Sequence, residues 1–190
     1  FFVLSKKFKN INFIGDNHLS DKSLLITGNH ISFWDGFWMN ELIRKLLKKR
    51  FYYMMLEEEL RKRILLRYNG AYSINPGSKE VLESLDYTIE LLSNPDNAVL
   101  FYPQGEIKSH YEETFNYNKG INYILKGLPQ NVMILLTASF IDYGSERKPT
   151  VNIFYKSIKS EEITDSDSFR KFFQDFYQKS KMNHIKLMNN

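Results

Sequence analysis

The sequence of 190 residues contains no cysteine, only five prolines and only two tryptophans. The absence of cysteine excludes disulfide bonds, thiolate zinc sites and a cysteine nucleophile. No apolar run reaches the ~20 residues that a membrane-spanning helix needs, so the sequence predicts no membrane span in this piece. Because the chain begins with Phe1 instead of methionine, we expect that an upstream segment is missing.

Aromatic residues are abundant, with 12 Tyr and 15 Phe, and 43% of all residues are hydrophobic. This composition predicts a substantial core, and the length favours a single domain over residues 1–190. The net charge of +4 permits contact with anionic lipid or nucleic acid. The basic residues follow no single stripe and form no motif that reads nucleic acid, so we expect no nucleic-acid partner.

Strand and helix patterns alternate along the chain. Short apolar or alternating runs predict strands at 8–15, 23–27, 51–56, 71–74, 98–102, 132–141 and 150–155, of which the continuous run 51–56 is expected to be buried. Helical spacing of apolar residues predicts helices at 33–49, 57–68, 79–92, 118–126 and from 168 onward. This alternation predicts an α/β fold with a mixed, mostly parallel sheet flanked by helices. Sites in such sheets gather in the loops beyond the carboxyl ends of the strands.

One such loop carries His30, which follows the predicted strand 23–27 and precedes the predicted helix 33–49. Asp35 lies five residues later and can reach back to one ring nitrogen of a histidine in this turn. A histidine that acts as a base needs an acceptor on its second nitrogen, which fixes the tautomer and stabilises the imidazolium. Ser32 is too near in sequence to make a productive nucleophile. The pair predicts a general base that activates a substrate hydroxyl; the alternative is a histidine that only caps the helix.

The other three histidines provide an internal comparison. Asn17-His18 and Asn183-His184 repeat the Asn-His pair of His30, but neither has an aspartate five residues later. His18 lies in a polar turn, His184 in a basic helix and His110 in a charged loop, so we predict all three to be surface residues.

A second candidate site follows the predicted strand 98–102, which ends in Pro103-Gln104-Gly105. Proline and glycine at these positions predict a tight turn, which would present backbone N–H groups and an amide to a polar ligand. Lys108, three residues further on, adds a cation to the same loop. The alternative is an ordinary turn that ends a strand.

Together and in this order, the two motifs resemble those of the glycerolipid acyltransferase family, which includes 1-acylglycerol-3-phosphate acyltransferases. Asn29-His30 through Asp35 is similar to the family's Asn-His-x4-Asp motif, and Tyr102 through Gly105 resembles its Phe-Pro-Glu-Gly turn. Residues 67–75 and 132–141 fall where the family has its second and fourth blocks. The resemblance covers about residues 8–145, and 146–190 is expected to add a C-terminal strand and helix to the same domain.

This resemblance implies an O-acyltransferase of phospholipid or glycerolipid biosynthesis. Such an enzyme moves a fatty acyl group from acyl-CoA or acyl-carrier protein to a hydroxyl of a lysophospholipid or related lipid. It implies His30 as the general base and Asp35 as the residue that orients it, with no acyl-enzyme, metal or other cofactor. The predicted substrate-binding residues are Asn29, Asn75, Gln104, Gly105 and Lys108, where Gly105 and neighbouring N–H groups are expected to hold the oxyanion or the acceptor's polar head.

The chain departs from the family pattern at its acceptor-binding positions. Asn75 stands where the second block ends in Arg, and Gln104 stands where the third block has Glu. Lys108 is the nearest cation to the usual Thr-Arg-Ser, and Lys offers phosphate a point charge where Arg offers a bidentate fork. Two alternatives therefore stay open: an acyltransferase for an amphipathic alcohol without a phosphomonoester, and a non-catalytic lipid-binding relative.

Four aromatic residues flank the predicted catalytic pair, and core packing is expected for at least two of them: Phe33, Trp34, Phe37 and Trp38. The others would line an acyl-chain channel or a rim that faces a membrane. Basic clusters at 6–7, 45–50 and 61–63 predict solvated helix faces or contacts with anionic headgroups. We therefore expect peripheral attachment at the cytoplasmic face of a membrane.

Overall fold

A computed structural model describes residues 2–15, 21–117, 119–163 and 165–189. In this part of the chain, seven strands form one sheet with the order β1-β7-β6-β2-β5-β3-β4. The strands are β1 (Asn10–Gly15), β2 (Leu24–Gly28), β3 (Arg50–Leu56), β4 (Ala71–Ile74), β5 (Asn97–Leu100), β6 (Met133–Asp142) and β7 (Thr150–Lys159). The pair β6–β7 is antiparallel and the other neighbours in the sheet are parallel. The predicted α/β fold with a mixed, mostly parallel sheet is confirmed.

Helices cover both faces of the sheet. They are α1 (Phe2–Lys7), α2 (Asp35–Leu46), α3 (Glu57–Lys62), α4 (Val81–Leu92), α5 (Lys119–Gly127) and α6 (Ser166–Asn189), with 3₁₀ helices at Ile64–Asn69 and Ser160–Glu162. None of these helices, among the residues described, is long and apolar enough to cross a membrane.

The central strand β2 shows why the sheet is buried on both faces. Leu24 and Ile26 pack into a core with α1 and α2, whereas Leu25 points to the opposite core, which α4, α5 and α6 cover. All three leucine and isoleucine side chains are fully buried, and each contributes about 1.5–3 kcal/mol by leaving water. This three-layer packing fixes the carboxyl end of β2, where the predicted site lies.

Strand β3 and the helix that follows it differ from the prediction. The predicted helix 57–68 breaks at Arg63, which has φ −131° and ψ 52°, into α3 and the 3₁₀ helix Ile64–Asn69. Leu60 is the one buried residue of α3, and the 3₁₀ helix buries none, so no apolar face continues the helix. The predicted burial of 51–56 is wrong: β3 is only half-buried because it lies beside the edge strand β4.

Strand β7 is longer than predicted. The alternating pattern indicated a strand at 150–155, but β7 continues to Lys159 because it pairs with β6 over ten residues. The register runs from Met133 opposite Lys159 to Asp142 opposite Thr150. A partner strand that is already buried therefore extends β7 into a polar stretch that local pattern alone would leave as a loop.

The surface prediction for His184 is wrong, whereas His110 is exposed as predicted. The His184 ring stacks on Phe140, with centroids 5.1 Å apart, and its Nδ1 accepts a hydrogen bond from Asn152 Nδ2 at 3.1 Å. Asn152 in turn accepts a hydrogen bond from Asn12, so this network joins β1, β7 and α6. The prediction for His18 lies outside the described residues.

The buried network predicts a pH-dependent stability. Burial lowers the pKa of His184, and Asp142 at 3.9 Å acts in the opposite direction. As pH falls below about 6.5, the unfolded chain binds a proton before the folded chain does, so the free energy of unfolding decreases. We expect that His184→Gln reduces this decrease between about pH 7.5 and pH 5.5, measured by urea denaturation. His110→Gln should keep the wild-type dependence; an unchanged pH dependence in His184→Gln would contradict the assignment.

Candidate active site

The site forms where β2 and β5 end side by side. These strands are parallel neighbours, with Ile26 paired to Leu100, so the loops that follow them leave the same edge of the sheet. The β2 loop carries His30 and leads into α2, and the β5 loop carries Tyr102 through Lys108. The structure therefore brings the two predicted motifs together, although 74 residues separate His30 from Gln104.

His30 and Asp35 are in direct contact. His30 Nδ1 donates a hydrogen bond to Asp35 Oδ2 at 2.7 Å. The same oxygen accepts the backbone N–H groups of Ile31 at 2.8 Å and Ser32 at 3.0 Å. Because Oδ2 acts as an acceptor for these three donors, Nδ1 carries the ring proton and Nε2 keeps the lone pair. The His30 side chain is about one quarter exposed, so Nε2 is the nitrogen left to meet a substrate.

Asp35 is the first residue of α2 and is fully buried. Burial raises the pKa of its carboxyl, while the contacts with His30 and with the N–H groups of Ser32 and Ile31 lower it. Its Oδ1 makes no hydrogen bond within the described part of the chain, so Oδ2 bears the whole network. The Ser32 hydroxyl accepts the Trp34 N–H at 3.1 Å and, within the described residues, makes no hydrogen bond with the His30 ring, so the structure shows no Ser–His pair.

The β5 loop holds His30 from its other side. The Tyr102 ring stacks on the imidazole, with centroids 4.3 Å apart and planes 3° apart. Gln104 Oε1 accepts the His30 backbone N–H at 2.8 Å, and the His30 carbonyl accepts the Lys108 N–H at 2.8 Å. Burial and the charge of Asp35 raise the pKa of Tyr102 well above its ordinary value, so the phenol stays neutral. Sequence reasoning missed the stacking role of Tyr102; its place directly before the Pro-Gln-Gly turn was the available signal.

Gly105 does not have the free N–H group that we predicted for an oxyanion. Its N–H donates to the Tyr102 carbonyl at 3.0 Å and closes the turn, and its φ of +74° suits glycine. The Lys108 N–H is also occupied, by His30. The Lys108 ammonium pairs with Glu106 at 2.6 Å on the surface. The amide nitrogen of Gln104 makes no hydrogen bond within the described residues, so it remains available as a donor.

Asn29 makes contacts within the sheet. Its Nδ2 donates to the Ser139 carbonyl at 2.9 Å, and its Oδ1 accepts the Ser139 N–H at 2.8 Å. The side chain thereby continues the β2–β6 pairing for one more residue, directly after Gly28, where a Cβ would lie 2.2 Å from Thr137 Oγ1. Asn29 is buried and both of its polar atoms are occupied, so this geometry gives no support to its predicted role in substrate binding.

Asn75 lies at the same edge but apart from the other site residues. It directly follows β4, which lies three strands from β2 in the sheet. Three strand spacings amount to about 14 Å. Asn75 is exposed at the start of a turn, in which its carbonyl accepts the Ser78 N–H at 3.2 Å. A substrate that touches both His30 and Asn75 must therefore be extended along this edge.

The four flanking aromatic residues divide into two pairs, as expected. Trp38 is fully buried, and Trp34 packs against the same core beside Phe8, with ring centroids 5.9 Å apart. Phe33 and Phe37 remain 48% and 38% exposed, and their ring centroids are 5.6 Å apart. The exposed pair therefore forms an apolar rim immediately beside Asp35.

The described residues contain no group of three or more histidine, aspartate or glutamate side chains that could hold a metal ion. The arrangement that they do contain is a histidine whose ring tautomer, plane and backbone are all fixed. Such a group can take a proton from a hydroxyl that approaches Nε2.

A family model described as Acyltransferase matches residues 10–135, which is 126 of the 190 residues. The chain therefore belongs to the acyltransferase family, to which the glycerolipid acyltransferases belong, and has a general acyltransferase role in lipid metabolism. A comparison with curated proteins gave no match.

The contacts of Asn29 lead to a stability prediction. Asn29→Ala leaves the buried N–H and C=O groups of Ser139 without partners, so we expect the free energy of unfolding to fall by about 2–4 kcal/mol. Asn75→Ala, in an exposed turn, should change it by less than about 0.5 kcal/mol. Urea denaturation of both variants measures the difference. Equal stabilities would show that the Asn29–Ser139 contact does not hold the end of β2.

Proposed function

We propose that this acyltransferase moves a fatty acyl group from acyl-CoA or acyl-carrier protein to a hydroxyl of a lysophospholipid or related lipid. The observation that carries the proposal is the His30–Asp35 hydrogen bond of 2.7 Å, which leaves Nε2 as the basic nitrogen. A place in phospholipid or glycerolipid biosynthesis, with peripheral attachment at the cytoplasmic face of a membrane, belongs to the same proposal.

In the proposed reaction, His30 Nε2 takes the proton of the acceptor hydroxyl as the hydroxyl oxygen attacks the thioester carbonyl. The tetrahedral intermediate then collapses, the C–S bond breaks, and the imidazolium returns the proton to the leaving thiolate. Asp35 stabilises the imidazolium and keeps Nδ1 protonated. The step requires no acyl-enzyme and no metal or other cofactor, because the acceptor itself is the nucleophile.

The residues around His30 would bind the polar parts of the substrates. We propose that the free amide nitrogen of Gln104 donates to the oxyanion or to the acceptor's head, a role in which it replaces Gly105. The Lys108 ammonium lies in the same loop and would attract an anionic head, although Glu106 offsets its charge. Asn75 would contact a more distant part of an extended acceptor. Gln104 Oε1 accepts the His30 N–H and helps to fix the base, which supports an active enzyme over a non-catalytic relative.

Variants of two histidines test the proposed base. We expect His30→Ala to lower acyl transfer about 10²–10⁴-fold, while its thermal unfolding stays close to that of the wild type. His110→Ala, an exposed histidine of the neighbouring loop, is the matched control and should retain transfer. The assay supplies labelled acyl-CoA or acyl-carrier protein with a mixed lyso-lipid extract. If the wild type forms no more acylated lipid than His30→Ala does, the proposed function is wrong.

The acceptor's head is tested at position 75. Asn75→Arg restores the cation of the family's second block, so we expect kcat/KM to rise up to about fivefold for a lysolipid with a phosphomonoester, because exposed ion pairs contribute up to ~1 kcal/mol. Monoacylglycerol, which has no phosphate, should show no gain. Asn75→Gln is the uncharged control. An equal gain with both acceptors would mean that position 75 does not contact the head.

A further inference from the structure

The 3₁₀ helix Ile64–Asn69 is apolar but buries none of its residues. Ile64, Leu65 and Tyr68 are at least half exposed, and Tyr68 reaches 87%. Several large apolar side chains that project together from a surface mark an interaction site. This segment contributes no buried side chain to the core, so its exposed apolar residues indicate a binding partner outside the fold.

The segment adjoins the rim of the candidate active site. The Arg63 guanidinium lies 5.2 Å from the centre of the Phe33 ring, and Phe33 contacts Phe37. Leu56 ends β3 at the edge that carries His30 and is also exposed. The Arg63–Phe33 contact thus links the 3₁₀ helix to the rim of the site. We call the exposed apolar residues of these segments the docking face; it comprises Phe33, Phe37, Leu56, Ile64, Leu65 and Tyr68.

Positive charge is concentrated around the docking face. Residues 41–69 contain nine Lys and Arg against four Glu, a net charge of +5, whereas the rest of the chain has 17 basic and 18 acidic residues. Arg44, Lys48, Lys49 and Asn69 help line an open cleft of about 410 Å³, so the last residue of the 3₁₀ helix shares this cleft with three cations.

The ion pairs of this region leave some of that charge unopposed. Arg61 and Arg63 pair with Glu57 and Glu59, and Lys62 pairs with Glu59. Arg44 and Lys45 pair with Glu41, so Arg44 brings no unopposed charge to the cleft. Within the described residues, the Arg67 side chain between Leu66 and Tyr68 makes no hydrogen bond or ion pair. The partner must therefore offer an apolar phase and negative charge at the same surface.

We propose that the docking face seats the protein on an anionic lipid bilayer. Leu65 and Tyr68 enter the headgroup region, and Arg67 and the basic cleft meet lipid phosphates. Apolar side chains flanked by tyrosine and arginine suit this boundary, because both polar residues keep an apolar body in the lipid and a polar end in water. The proposal rests on the proposed function in one respect: a bilayer at this edge would present its lipid hydroxyls to His30.

Vesicle flotation tests the docking face. The probes are phosphatidylcholine vesicles with and without roughly 30% phosphatidylglycerol. We expect the wild type to prefer the anionic vesicles. The double variant Leu65→Glu with Tyr68→Glu should lower the vesicle partition coefficient at least about tenfold, because two apolar side chains that enter the bilayer become charged. The matched control is Met182→Glu with Leu187→Glu, two exposed apolar residues of α6, which should bind as the wild type does.

A second pair of variants tests the charge. Lys48→Glu with Arg67→Glu should weaken binding to the anionic vesicles and reduce its salt dependence, with little effect on neutral vesicles. Thermal unfolding of every variant establishes that the fold is retained. Undiminished vesicle binding by the Leu65/Tyr68 variant, or an equal loss in the α6 control, would overturn the proposal. The proposal would also be overturned if the Leu65/Tyr68 variant bound vesicles normally but no longer bound acyl-carrier protein, because this face would then be a protein-docking surface.

Transfer measured in the same variants separates this proposal from the proposed function. A wild type that binds vesicles through the docking face but transfers no acyl group would leave the docking face standing and remove the proposed reaction. A Leu65/Tyr68 variant that loses vesicle binding but retains transfer to a detergent-dispersed acceptor supports both. Retained vesicle binding with His30-dependent transfer would remove the docking face alone.

Discussion

The buried carboxylate of Asp35 is the constraint on which the candidate site depends. Its Oδ2 accepts the imidazole N–H and the backbone N–H groups of Ile31 and Ser32, so one oxygen fixes both the ring and the turn that carries it. Asp35 is itself fixed because α2 buries Trp38 and its neighbours against the sheet. The orientation of the base is thus tied to the hydrophobic core, since α2 cannot shift without moving the carboxylate.

The β5 loop fixes the same histidine independently. Tyr102 stacks on one face of the His30 ring, Gln104 accepts a hydrogen bond from the His30 N–H, and the Lys108 N–H donates to the His30 carbonyl. The chain that follows this loop is anchored by Phe115, whose ring centroid lies 4.9 Å from that of Phe173 and 4.7 Å from that of Tyr177, both in α6. The contact to His30 requires only an acceptor oxygen, which the side-chain carbonyl of Gln104 supplies.

Sequence patterns predict what depends on local spacing. The alternation of strands and helices gave the α/β class, and the five-residue spacing indicated that Asp35 can reach His30. The contacts that were missed join distant parts of the chain: Asn29 pairs with a residue 110 positions away, and His184 is buried by Asn152 and Phe140. No local pattern distinguishes an amide that binds substrate from one that extends a sheet, because both follow a strand.

The pairing of Asn29 with Ser139 sets a lower limit on the length of chain that can form this site. The family match ends at residue 135, four positions before Ser139, yet the turn that carries His30 starts from that pairing. A polypeptide ended at 135 would retain the His30–Asp35 motif and the Tyr102–Gly105 turn, but it would lose the strand segment that anchors the first of them. The end of the family match and the end of the chain segment that the site needs are therefore different places in this protein.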